Sequence, residues 1–200
     1  MKIDLVKEDK KYYNAKAQAE IVEFPPLRYL GLEGQGAPAA DNFNEAVEAL
    51  YSVAYGVKNI YKSQDKDFAV PKLEALWWVD SVLPALEVPR EEWYWNLLIR
   101  MPYYVQPADV DAAVQTVYDK KKLAKVREVI FQVLDEGKCA QIMHTGPYST
   151  EPETIRRLQE SIVNMGYQAQ GMHHEIYLSD PRKTEPDKMK TILRQPIGKR

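Results

Sequence analysis

The sequence predicts an α+β fold in which a strand–helix–strand–strand unit occurs twice. Apolar residues recur at three- and four-residue spacing in separate segments, and short β-branched and aromatic runs flank them. The order of elements then repeats: strand, strand, helix, strand, strand, first in residues 20–105 and again in 106–197. Two such units predict two antiparallel sheets related by a pseudo-twofold axis, with helices on the outer faces and a pocket at the seam.

Residues 1–19 are polar and lysine-rich and read as a leader that packs only in part, ahead of a single domain over 20–197. Strands IVEF (21–24) and LRYLGLEG (27–34) are split by Pro25-Pro26, which cannot donate to a ladder and marks a bend or a sheet edge. Asp41 or Asn42 is placed to cap the first helix, whose stripe is Phe43, Val47, Leu50, Ala54, Val57 and Tyr61. Runs 68–79 and 92–102 read as strands, and Pro107 opens a helix carrying Val110, Val114 and Val117 on one side. Segments 125–134 and 138–146 flank Asp135-Glu136-Gly137 and read as a hairpin, although the first also fits a helical period. Ser149 or Thr150 caps a last helix with Ile155, Leu158, Ile162 and Val163 on its apolar face, ended by Gly166. HHEIYLS and TILRQPI are closing strands.

Composition narrows the function. In 200 residues, 27 Lys+Arg face 29 Asp+Glu, and a net charge of −2 argues against a nucleic-acid binder. With 45% hydrophobic and 28% charged residues the chain is of the folded, soluble kind. No run approaches the roughly 18 apolar residues of a membrane span, and the charged N-terminus lacks a signal-peptide core. A single cysteine, Cys139, excludes an internal disulfide and fits a reducing cytoplasm. Thirteen Tyr and four Trp outnumber four Phe, so most aromatic side chains carry a polar handle, which suits a pocket for a flat, partly polar ligand.

Two carboxylates sit inside apolar strands, Glu74 in LEALWW (73–78) and Glu175 in HEIYLS (174–179). Aligning the two units puts them at equivalent places, both facing the seam. A buried glutamate has a raised pKa and serves as base, proton donor or cation counter-charge, unless an arginine such as Arg100 or Arg194 pairs with it. Trp93, Trp95, Tyr55, Tyr104 and Tyr148 supply rings around them. His144, His173 and His174 are too few and wrongly spaced for a metal first shell, and no phosphate loop, dinucleotide fingerprint or nucleophile elbow is present.

The segments HTGPY (144–148), HHEIYLSDPRK (173–183) and TILRQPI (191–197), with LEALWW and WYWNLLIRMP (93–102), resemble the GyrI-like small-molecule-binding superfamily. The resemblance spans about residues 20–197 and implies the duplicated unit. The stand-alone branch with this HEIYLSDP pattern resembles cyclopropanoid cyclopropyl hydrolases, which implies detoxification of duocarmycin- and yatakemycin-type DNA alkylators. It implies Glu175 as the buried pocket glutamate and Tyr148 as a pocket-lining residue, whereas the role of Glu74 rests on the internal repeat. The expected mechanism has Glu175 as base and Glu74 or Tyr148 as proton donor. The expected ligand walls are Trp78, Trp93, Trp95, Tyr55, Tyr104, Tyr177 and His144. No metal or organic cofactor, nucleic-acid partner or membrane is expected, and the chain is expected to be a monomer. A sequestering drug binder and a topoisomerase-modulating protein are the alternatives.

Overall fold

The structure, a computed structural model, describes residues 2–38 and 40–199. A short helix α1 (Leu5–Glu8) precedes β1 (Glu20–Phe24) and β2 (Leu27–Gln35). Next come α2 (Asp41–Lys62), β3 (Leu73–Trp78), β4 (Tyr94–Met101), α3 (Pro107–Lys121), β5 (Ile130–Leu134) and β6 (Gly137–Thr145). The chain closes with α4 (Glu151–Asn164), β7 (Tyr167–Ala169), β8 (His173–Tyr177) and β9 (Lys190–Lys199). The α+β class is as expected.

The strands form one antiparallel sheet rather than two, in the order β1-β6-β9-β8-β3-β4-β2-β5, with β7 added beside β9. β3 and β8 are hydrogen-bonded neighbours in the middle and fuse what the sequence suggested were separate sheets. The expected hairpin around Gly137 does not form. Gly137 has the anticipated positive φ of 56°, but β5 leaves to pair with β2 while β6 pairs with β1 and β9. The outer strands are exchanged in this way: β1 lies beside a strand of the second half, and β5 beside one of the first.

Alternation along each strand gives the sheet two faces. One carries Leu30, Leu32, Ala75, Trp77, Trp95, Leu97 and Ile99, and α2 and α3 cover it. Ala46, Ala49, Leu50, Val53, Ala54 and Val57 of α2 are buried there, at the spacing of a helix stripe. Ile142, Leu193 and Ile197 continue the same face under α4, which contributes Ile155, Leu158 and Ile162; Val163, expected in that stripe, is exposed. α2 packs mainly on β2 and β4, and α4 on β6, β7 and β9, which leaves β3 and β8 between the helices. All three long helices therefore lie on one face, not on two outer faces. The other face is closed by the N-terminal segment, whose Tyr12 and Tyr13 are buried with Val22, Phe24, Tyr29, Leu76, Leu98 and Ile176 while its lysines stay largely exposed.

Helix starts differ from expectation in detail. Ala40, not Asp41 or Asn42, is the cap of α2, and Asn42 Nδ2 instead donates to the Gln35 carbonyl. The Gln106 side chain and Asp109 form a reciprocal capping box at α3, with Pro107 in its first turn.

Candidate functional site

The register of β3 against β8 decides what the two glutamates can do. Glu175 stands opposite Ala75, and Glu74 stands opposite Ile176. Residues directly opposite in a ladder share a face and sequence neighbours do not. Glu175 therefore points to the helix-covered face with Ala75 and Trp77, and Glu74 to the other. A twofold axis normal to a sheet keeps each residue on its own face, so no such axis equates these glutamates. The expectation that both face one seam is corrected.

On the helix side, Glu175 is 7% exposed and accepts a hydrogen bond from Tyr177 Oη at 2.8 Å. Trp77 Nε1 donates to the same Tyr177 oxygen at 3.0 Å, which leaves the phenolic proton to Glu175. His173 Nε2 lies 3.4 Å from the other carboxylate oxygen, a charge contact without hydrogen-bond alignment. Burial pushes the Glu175 pKa up, but His173, Tyr177 and the more distant Arg90 guanidinium outweigh it and hold the group below the usual carboxylate value.

The second acid of this face is Glu151, the first residue of α4 and 5% exposed. A helix N-terminus normally favours an ionised carboxylate. Here burial first, and then the Glu175 charge, push Glu151 up to about 8, with the Thr191 hydroxyl pulling weakly the other way. Its Oε1 has no hydrogen-bond partner among the described residues. Two buried carboxyls that feel each other's charge cannot both ionise cheaply, and the shifts place the proton preferentially on Glu151 rather than on Glu175.

Rings rim this pair. Tyr148, 40% exposed in the turn before α4, meets Tyr177 edge to face at 5.8 Å, and burial pushes its phenol up to about 12. Trp77 stacks on Phe43 at 6.0 Å and meets Trp93 edge to face at 6.1 Å. The Arg90 guanidinium sits 4.0 Å above the Trp93 ring.

The expected walls divide accordingly. Tyr177, Tyr148, Trp93 and the wholly buried Trp95 lie on the Glu175 side. Trp78 does not: it follows Trp77 by one residue, takes the opposite face and stacks on Tyr94 at 5.6 Å. Tyr55 lines a groove of about 520 Å³ between α2 and α3 with Tyr51, Ile60 and Val117. Tyr104 packs on Tyr61 and donates to the Lys66 carbonyl. His144 shares the face but is tied down at the root of α4, its Nδ1 2.9 Å from Thr154 Oγ1 and its Nε2 3.2 Å from the Pro147 carbonyl. Sequence reasoning missed Glu151; it left open which of Trp77 and Trp78 faces the site, and the register places Trp77 there, with His173 on the Glu175 face as its strand position implied. A Pro-bearing helix start with an acid at its head, three residues after Tyr148, was the available signal for Glu151.

Glu74 occupies a separate, fully buried centre on the opposite face. Tyr12 Oη donates to its Oε2 at 2.5 Å, and His174 Nε2 lies 3.0 Å from the same oxygen. His174 Nδ1 is 3.0 Å from Glu136. Both ring nitrogens thus face carboxyl groups, an arrangement that favours the imidazolium form. Burial lowers the His174 pKa, but Glu136 and then Glu74 overcome this and raise it to about 9. Arg100 pairs with Asp9 at 2.8 Å, and Arg194 with Gln141 Oε1 and the Tyr12 carbonyl. Neither arginine bonds Glu74 directly, as the simple pairing had supposed; a histidine does.

Two buried carboxyls, Glu175 and Glu151, thus lie beside Tyr177 and Tyr148 on the sheet between the helices. The chain belongs to the GyrI-like family: residues 94–197 match the GyrI-like small molecule binding domain. It is also similar to three solved structures from Listeria innocua. An uncharacterized conserved protein is 35% identical, with a TM-score of 0.92 over 98% of this chain and 100% of that one. Two structures described as hydrolases are each 34% identical, with TM-scores of 0.87 and 0.89 over 98% and 99% of this chain and the whole of theirs. No curated protein sequence is matched. Among the described residues no helix is long and apolar enough to cross a membrane.

Proposed function

We propose that the protein is a hydrolase that opens an activated cyclopropane by adding water, acting on flat aromatic electrophiles of the duocarmycin and yatakemycin type. The observation that carries this reading is the placement of two buried carboxyls, Glu175 and Glu151, on one face of the sheet beside Tyr177 and Tyr148, where the surroundings lower the pKa of Glu175 and raise that of Glu151. Acid–base chemistry at neutral pH needs this division. The hydrolase description of two relatives at 34% identity supports catalysis over sequestration.

In the proposed reaction, Glu175 takes a proton from water as its oxygen bonds to the cyclopropane methylene. The strained carbon–carbon bond breaks, and its electron pair moves through the conjugated ring to the carbonyl oxygen. Glu151, or Tyr148 at the rim, protonates that oxygen and leaves a phenol. One water is added, and nothing is oxidised or reduced. Glu74 has no part in this, because it is on the other face of the sheet. Tyr148, 40% exposed, supplies a surface on which a planar ligand stacks, and Tyr177 keeps Glu175 oriented. The chemistry draws only on protein side chains.

Incubation of the protein with a duocarmycin-type cyclopropane, followed by mass spectrometry, tests the reading. The expected product is the ligand plus one water, formed faster than in buffer. Tight binding with unchanged ligand would establish the sequestering role instead.

A further inference from the structure

The helix-free face has a polar centre that the proposed reaction leaves unused. Tyr12 enters it from residues 9–16, which form no strand and whose Lys16 carbonyl accepts from the Met143 N–H of β6 at 2.7 Å. Its ring centroid lies 4.4 Å from the Arg100 guanidinium carbon and 4.3 Å from that of Arg194. Phe24 meets the ring edge to face at 5.2 Å, and Tyr13 does so at 4.8 Å. The Tyr12 hydroxyl donates to Glu74 at 2.5 Å, so Tyr29, 2.6 Å away, donates to Tyr12.

Apart from Tyr13, every group that recognises this phenol belongs to the sheet: Phe24 in β1, Tyr29 in β2, Glu74 in β3, Arg100 in β4 and Arg194 in β9. The chief members are held by partners other than Tyr12. His174 holds Glu74 at 3.0 Å, Glu136 holds His174 at 3.0 Å, and Gln141 Oε1 takes two bonds from Arg194 at 3.1 and 2.9 Å. The Arg194 side chain is wholly buried, yet its Nη1 has no hydrogen-bond partner among the described residues, and the same is true of Arg100 Nη1. An anionic acceptor for the hydroxyl, two cations beside the ring and aromatic edges are the parts of a phenol receptor. Because these parts brace one another, and because Arg194 and Arg100 otherwise bond the Tyr12 carbonyl and the Asp9 carboxylate, the receptor does not depend on the Tyr12 side chain for its shape.

We propose that the helix-free face is a preformed recognition site for a phenol, which the chain fills in cis with Tyr12 and which a free phenol occupies when that side chain is removed.

The test uses the full chain carrying Tyr12→Ala, with p-cresol as probe and toluene as its hydroxyl-free control, read by thermal unfolding. Millimolar p-cresol is expected to raise the Tm of the variant by about 3 °C or more. Toluene is expected to raise it less, and neither to move the wild type. Adding Glu74→Gln to Tyr12→Ala is expected to abolish the preference for p-cresol over toluene. If Tyr12→Ala does not fold alone, recovery of native circular dichroism in p-cresol but not in toluene supports the proposal. No response to p-cresol, an equal response to toluene, or an equal response of the wild type overturns it.

Discussion

Glu175 lies opposite Ala75 in the β3–β8 ladder, whereas Glu74, one residue earlier, lies opposite Ile176. One residue of register thus separates a buried carboxylate that feels the charge of Glu151 from one locked against His174 beneath the N-terminal segment. The consequences for activity and for stability separate along the same line.

Activity is expected to depend on Glu151 as a proton donor. Glu175, held below the usual carboxylate value, stays ionised through the neutral range, while Glu151 must stay protonated to donate. Turnover is therefore predicted to fall as pH rises through about 8, where Glu151 loses its proton. In Glu151→Gln turnover drops by about 10²-fold, and the alkaline limb moves toward the titration of Tyr148, near 12. A pH–rate profile of the two proteins measures both effects.

Stability is expected to follow His174. Its pKa is raised from 6.5 unfolded to about 9 folded, so its contribution is complete below about pH 6.5 and is lost as pH rises through about 9. The size is roughly 3 kcal/mol. Urea midpoints between pH 6 and 10 should decline in the wild type, and His174→Gln should be weaker at pH 6 with a flatter dependence.

The helix face is packed against Trp95 without slack. A Cβ added at Gly34 would come within 2.2 Å of the Trp95 ring, which is wholly buried and cannot swing away. Gly34→Ala is predicted to cost about 1–3 kcal/mol, measured as a lowered urea midpoint.

Trp77 positions Tyr177 through its indole N–H, and Tyr177 in turn orients Glu175. Trp77→Phe keeps a ring but leaves the Tyr177 hydroxyl free to turn away. It is expected to lower kcat and move the acid limb of the pH profile upward, because Glu175 then loses a hydrogen bond to its ionised form. An unchanged acid limb would show that Trp77 only stacks.

Much of the fold could be read from periodicity, since α2, α3 and α4 bury apolar stripes at helical spacing and β3, β4, β8 and β9 are apolar runs of strand length. Strand pairing could not be read. β5 and β6 are adjacent in sequence and joined by the glycine that a hairpin would want, yet the ladder hydrogen bonds they make are with distant strands. Local residue types set a strand but not its partner. The same gap explains the site. Glu175 and Tyr177 stood out within one strand, but the face that Glu74 takes depends on the β3–β8 register, which leaves no trace in either strand alone. Glu151 is not singled out from the sequence, and only its burial beside Glu175 marks it as the proposed proton donor. Tyr12 sat in a segment whose lysines marked it as solvent-exposed, although its burial completes the opposite face.

The most direct test compares Glu175→Gln with Glu74→Gln in the water-addition assay, each at a temperature where circular dichroism shows it folded. Glu175→Gln should lose at least about 10²-fold in turnover with little change in Tm. Glu74→Gln should turn over substrate like the wild type but unfold more easily, by about 3 kcal/mol, because it leaves the buried His174 cation short of a partner. Full turnover by Glu175→Gln, or loss of turnover in a folded Glu74→Gln, would contradict the placement of the reaction on the helix-covered face.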